Sequence, residues 1–228
     1  MIVFGKQVVL HMLMYYPDMI SVLYLAKEVD KKTFNLFRAH QREYQSQIVN
    51  LDFKKAQAMA KGANHQGFLA KVYPPQKDRL KDIKTLDKVL VLCGLSDVGN
   101  VGALFRSVAA LGFEGVILDS HMPYEGLVRS SLGALYDVPF CVCQNILDVI
   151  CELKEAGVFC YGAHVRGQDV KNVVFTHPLA LFLGSEGIGL NSRILNKMDQ
   201  LLHIKMQGKM DSLNVSVAGA ILMDRVRG

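Results

Sequence analysis

The chain has 228 residues, half of them hydrophobic, and a formal net charge of +5, a composition that supports a sizeable core and excludes a disordered chain. No apolar run reaches the length of a membrane span, and the opening "MIVFGKQVVLHMLMYYPDM" carries only Lys6 and no small-residue cleavage site, so a cytoplasmic protein without a signal peptide is expected. Cysteines at 93, 141, 143, 151 and 160 form no Cys-x-x-Cys pair and the seven histidines lack ligand spacing, so reduced thiols and no metal site are expected.

In chain order, "GKQVVLHMLMYY" has helical spacing and "SVLYLAK" reads as a strand. "KKTFNLFRAHQREY" reads as an amphipathic helix with Phe34, Phe37 and Tyr44 on its apolar side. "QIVNL" is a short strand, "FKKAQAMAK" a helix and "GFLAKVY" a last strand, which makes a small α/β unit. Residues 1–76 hold ten Lys/Arg and five Asp/Glu, against sixteen of each in residues 77–228. The excess positive charge is therefore N-terminal and suits a polyanionic partner there. Pro74-Pro75 and the mixed charge that follows mark a linker, so the expected organisation is residues 1–74, a linker at 75–87, and residues 88–228.

Beyond the linker, "KVLVLCGL", "GVILDS", "FCVCQ", "VFCYGAH", "LALFLGS" and "LLHIKM" are short apolar runs separated mostly by helix-compatible segments. That alternation predicts a parallel sheet covered on both faces. Cys141 and Cys143 alternate on one such strand and should point the same way. Three constellations stand at strand ends. In "LSDVGNVGALFRSVAALGFEGVIL" a Gly/Asn/Asp turn leads into a helix from about Val101 to Leu111, with Asn100 at its start and Arg106 on its second turn. In "LALFLGSEGIGLNSRIL" a buried strand runs into Gly184-Ser185-Glu186-Gly187-Ile188-Gly189, where glycines permit sharp turns and close approach to a ligand. Glu186 thus sits at the carboxyl end of a parallel strand, where open α/β sheets place their sites. The last is "MDSLNVSVAGAILMDRVRG", a polar knuckle of Ser212, Leu213 and Asn214 before an apolar helix. Asp211 or Ser212 would cap that helix. A dinucleotide-binding reading of Gly99 to Gly102 is incomplete, with only Asp119 available as its acidic residue.

In this order, "GNVGALFRS", "LGSEGIGL" and "IKMQGKMDSLNVSVAGAIL" resemble the three motifs of the SpoU/TrmH branch of the SPOUT superfamily of RNA methyltransferases. "VFGKQVVLHML" and "GANHQGFLAKV" resemble the small α/β, ribosomal-protein-like substrate domain of RlmB-like members, which methylate a guanosine ribose in large-subunit rRNA. Close relatives modify tRNA. The resemblance implies a parallel-sheet α/β domain whose C-terminal segment threads a deep trefoil knot, a feature nearly absent elsewhere. It implies S-adenosylmethionine as cofactor, held largely by backbone groups at Leu183, Gly184, Ile204, Met206 and Leu213. It implies a homodimer with the site completed near the subunit interface. Many members carry Asp-Pro-x-Asn where this chain has "SDVGN".

The implied catalytic set is Arg106, Asn100, Glu186, Ser212 and Asn214. A ribose hydroxyl is a poor nucleophile that must lose a proton during attack. A guanidinium holds its proton in water to about pH 12, so Arg106 is better suited to hold a phosphate and stabilise a developing alkoxide than to act as base. Alanine at Asp119 is expected to matter little. The first domain is expected to dock folded RNA, 23S rRNA or tRNA, with Lys31, Lys32, Arg38, Arg42 and the "GANHQG" loop as candidate contacts. Alternatives are a tRNA ribose methyltransferase, a non-catalytic RNA-binding relative, and a nicotinamide-dependent oxidoreductase.

Overall fold

The structure is a computed structural model, and residues 1–207 and 212–227 are described. The chain forms two compact units.

The first comprises Met1–Pro75 together with Pro123–Tyr136. Its elements begin with β1 (Ile2–Phe4), α1 (Lys6–Tyr15), β2 (Ile20–Leu25) and α2 (Lys31–Tyr44). They continue with β3 (Gln47–Asn50), α3 (Phe53–Met59) and β4 (Phe68–Val72). The four strands make a mixed sheet in the order β1-β4-β2-β3. Two of its helices start on aspartates. Asp30 accepts from the Thr33 amide at 2.9 Å and from the Thr33 hydroxyl at 2.8 Å, and Asp52 accepts from the Lys55 amide at 2.8 Å. On α2 the apolar side is Phe37, fully buried, while Phe34 is 38% exposed with Arg38 over its ring, so Phe34 lies outside the predicted core face. His40 is a satisfied core histidine, with Ser46 Oγ at 2.7 Å and the Pro17 carbonyl at 3.0 Å.

The second unit comprises Gln76–Met122 and Asp137–Gly228. It runs through α4 (Leu80–Ile83), β5 (Lys88–Cys93), α5 (Val98–Leu111) and β6 (Gly115–Leu118). The chain then supplies α6 (Tyr124–Ser130) to the first unit, where Arg129 lies over the Phe4 ring and the Tyr136 hydroxyl donates to the Tyr73 carbonyl at 2.6 Å. It returns with β7 (Phe140–Val142), α7 (Ile146–Glu155), β8 (Phe159–Asp169) and β9 (Leu179–Gly184). It ends with α8 (Ser192–Leu195), β10 (Gln200–His203) and α9 (Val215–Arg227). The sheet has the order β10-β8-β9-β5-β6-β7 and every pairing in it is parallel. Central strands are apolar throughout because both faces are covered: Val89 to Leu92 and Leu179 to Leu183 are all buried. The thiols of Cys141 and Cys143 lie 3.7 Å apart on the β7 side of this sheet.

Two differences from the sequence expectation bear on the site. Helix α5 begins three residues earlier than expected, because Asp97 caps it by accepting the Asn100 amide at 2.6 Å. Asn100 is thereby in the first turn of the helix. The cap of α9 is Asn214, whose Oδ1 accepts the amides of Ser216 at 2.9 Å and Val217 at 3.4 Å. Of the expected caps, Asp211 lies outside the described residues and Ser212 is exposed before the helix. Helix α9 packs on α5 and β9 so closely that a Cβ on Gly219 would meet Leu104 Cδ2 at 2.5 Å and Leu183 Cδ1 at 2.8 Å.

Candidate active site

The site is assembled where β9 ends. A Cβ on Gly184 would run into the backbone of Gly189 and Leu190, so only glycine lets the chain double back there. Ser185 and Gly189 bridge, with the Gly189 amide donating to the Ser185 carbonyl at 2.8 Å, and Gly187 and Gly189 take positive φ of 82° and 70°. This tight turn holds Glu186 out at the carboxyl edge of the sheet.

Glu186 Oε1 accepts three N–H groups: Asn100 Nδ2 at 3.1 Å, Asn214 Nδ2 at 2.8 Å and the Val215 amide at 3.3 Å. Asn214 Nδ2 also donates to Asn100 Oδ1 at 2.9 Å, so the three side chains close a hydrogen-bonded ring. Each asparagine uses both ends of its carboxamide, and the bonds are mutually consistent with one orientation. The carboxylate also faces the amino end of α9, where the helix dipole favours negative charge. Segments 86 and 114 residues apart in sequence are thus fixed to one another at an exposed rim.

The remaining expected site residues are placed less tightly. Arg106 is exposed on α5, about 9 Å along the helix axis from Asn100, and makes no hydrogen bond or ion pair among the described residues. Ser212 is exposed, two residues before Asn214 in the chain. Leu183 is buried under α9, Ile204 and Met206 are partly buried after β10, and Leu213 is 37% exposed. One contributor has no signature in the sequence, the Val215 amide, because it is a backbone group. Asp119, expected from sequence to matter little, accepts the Gly94 amide through Oδ2 at the end of β5.

Residues 87–224 match the model of the SpoU rRNA Methylase family. This chain belongs to that family. Residues 2–78 of this SpoU enzyme match the RNA 2′-O ribose methyltransferase substrate-binding family. It is 32% identical over 184 residues to YacO of Bacillus subtilis, assigned to the TrmH tRNA/rRNA methyltransferases, covering 76% of this chain and 74% of the relative. It is 33% identical over 150 residues to the B. subtilis 23S rRNA (guanosine(2553)-2′-O)-methyltransferase RlmP, covering 64% of this chain and 60% of RlmP. An AdoMet-bound rRNA methyltransferase from Sinorhizobium meliloti shares the fold with a TM-score of 0.78 at 23% identity, over 99% of this chain and 86% of that one. The protein is an S-adenosylmethionine-dependent RNA 2′-O-ribose methyltransferase with the SPOUT architecture. The oxidoreductase alternative falls with that membership.

Proposed function

We propose that this enzyme methylates the ribose 2′-hydroxyl of a guanosine in 23S rRNA. The observation that carries the reading is the ring of Asn100, Glu186 and Asn214 at the carboxyl edge of the sheet, in a chain related to a guanosine-specific rRNA enzyme. The basic N-terminal unit supplies non-specific phosphate affinity for a folded RNA. A tRNA ribose is the second reading, supported by the tRNA/rRNA description of YacO.

The cofactor fits the residues present. Strands β8, β9 and β10 are neighbours, so Leu183–Gly184 and Ile204–Met206 leave the sheet at one edge. The side chains of Leu183, Ile204 and Met206 are apolar, Lys205 between the last two is exposed, and the exposed Leu213 is one residue from the ring, where a bound ligand would cover it. We assign Leu183, Gly184, Ile204, Met206 and Leu213 to that binding surface. S-adenosylmethionine supplies a methyl group on a cationic sulfur, electrophilic without a metal. The contacts of Asn214 and Val215 with Glu186 put the C-terminal segment against the Gly184–Gly189 turn, which supports the trefoil knot expected of this fold.

In this reading Glu186, Asn100 and Asn214 fix the amino ends of α5 and α9, and Ser212 adds a hydroxyl for the ribose. Arg106, exposed and without an ion pair among the described residues, holds the phosphate next to the target ribose and stabilises the developing alkoxide. Its distance from the ring suits a homodimer, in which it serves the site near the subunit contact. The exposed Val217 on α9 supports such a pairing. The enzyme acts in the cytoplasm, with its cysteines as free thiols. The test is methyl transfer from labelled S-adenosylmethionine to RNA of cells lacking the protein. Arg106→Ala should lower kcat by at least about a hundredfold while cofactor affinity stays within about twofold. Near-normal turnover of that variant removes the role given to Arg106.

A further inference from the structure

The second unit holds a cavity of about 380 Å³ that the ring does not use. It opens at the carboxyl ends of β5, β6, β7 and β9. Strand β5 connects onward to β6 on one side and pairs with β9 on the other. Open α/β sheets bind ligands at such a change of direction. The cavity shares the Ser185–Gly189 turn with Glu186, since Ser185, Ile188 and Gly189 line it.

Its polar groups form a donor and acceptor set. Asp119 uses Oδ2 for the Gly94 amide, and its Oδ1 accepts no hydrogen bond among the described residues. Asn145 and Asn191 use their side-chain carbonyls as helix caps, toward the Leu147 amide at 3.2 Å and the Ile194 amide at 3.0 Å. Their NH2 groups therefore remain as donors, with the Arg193 guanidinium on the same wall. Ile188, 84% exposed on the tip of the turn, offers an apolar contact for a flat ring.

The geometry points to this cavity as the pocket for the nucleobase of the methylated nucleotide, with a donor and acceptor set that selects guanine. The inference rests on the ribose-methylation reading above. Guanine alone among the four bases presents two adjacent donors, N1–H and the N2 amino group, to one carboxylate. Its O6 and N7 accept from amide or guanidinium donors. Adenine would turn an acceptor nitrogen toward Asp119. A base seated here leaves its own ribose next to the turn that carries Glu186. Asp119 is then a specificity residue, in contrast to the indifference expected from sequence.

The experiment uses the full-length protein, labelled S-adenosylmethionine and an RNA fragment spanning the mapped methylation site. The target carries either guanosine or inosine, which lacks the N2 amino group. Wild type should lose about tenfold or more in kcat/KM with inosine. Asp119→Asn should lose a similar factor with guanosine and no longer distinguish the two. Arg193→Ala, on the surface and safe for folding, should lower kcat/KM for both substrates and keep their ratio. Calorimetric binding of S-adenosylmethionine should be unchanged in both variants. Equal use of guanosine and inosine by wild type overturns the pocket, as does full activity of both variants. A mapped target other than guanosine overturns it while ribose methylation stands. Failure of wild type to methylate any RNA sinks the underlying reading, and the pocket with it.

Discussion

Glu186 Oε1 takes all three N–H groups of the ring, which separates two properties of that side chain, its acceptor atom and its charge. Glu186→Gln keeps an oxygen able to accept the same bonds and removes the charge beside the α9 amino end. Glu186→Ala removes both. Single-turnover methyl transfer should therefore fall about a hundredfold or more in the alanine variant and distinctly less in the glutamine variant. Equal losses would mean that the ring's geometry is not what Glu186 supplies. At this scale the sequence was informative about residue types. Asn100, Glu186 and Asn214 interrupt apolar runs at glycine-rich or polar turns. The ring itself had no local signature, because its bonds join residues up to 114 positions apart.

Among the elements, strands were the most legible, since a parallel sheet covered on both faces writes itself as continuous apolar runs. Ends were less so. Asp97 and Asn214 cap α5 and α9, while Asn100 near the first and Asp211 and Ser212 before the second are equally good capping types, so only geometry separates them. Strand β1 was not foreseen, as three residues at a sheet edge carry too short a pattern. The caps also have a pH consequence. The Thr33 amide and hydroxyl bonds hold the Asp30 carboxyl below its ordinary value of 3.8. Its capping contribution is complete above that ordinary value and disappears as pH falls through the lower, folded-state value. Melting temperature measured between about pH 5 and about pH 2 should fall more steeply for wild type than for Asp30→Asn, which caps without titrating. Parallel curves for the two proteins would contradict this.

Over the whole molecule, the chain order and the compact units do not coincide. Composition places one division around residues 75–87, but residues 123–136 leave the second unit's sequence to join the first. Such a return has no compositional mark, because it depends on packing between segments distant in sequence. Gly133 is its tightest point: φ is 89°, and a Cβ there would lie 2.5 Å from Tyr16 Cε2 and 3.0 Å from Met12 Sδ. Gly133→Ala should destabilise the protein by about 1–3 kcal/mol in urea unfolding, and an unchanged midpoint would show that this segment is dispensable to the first unit. The central claim is that this site transfers a methyl group to a guanosine ribose of 23S rRNA. Its most direct test is mass-spectrometric mapping of ribose methylation in cells lacking the protein, complemented with wild type or Arg106→Ala. One 2′-O-methylguanosine of 23S rRNA should be absent, restored by wild type and not by the variant. A missing methyl confined to tRNA, or restoration by Arg106→Ala, would contradict the account.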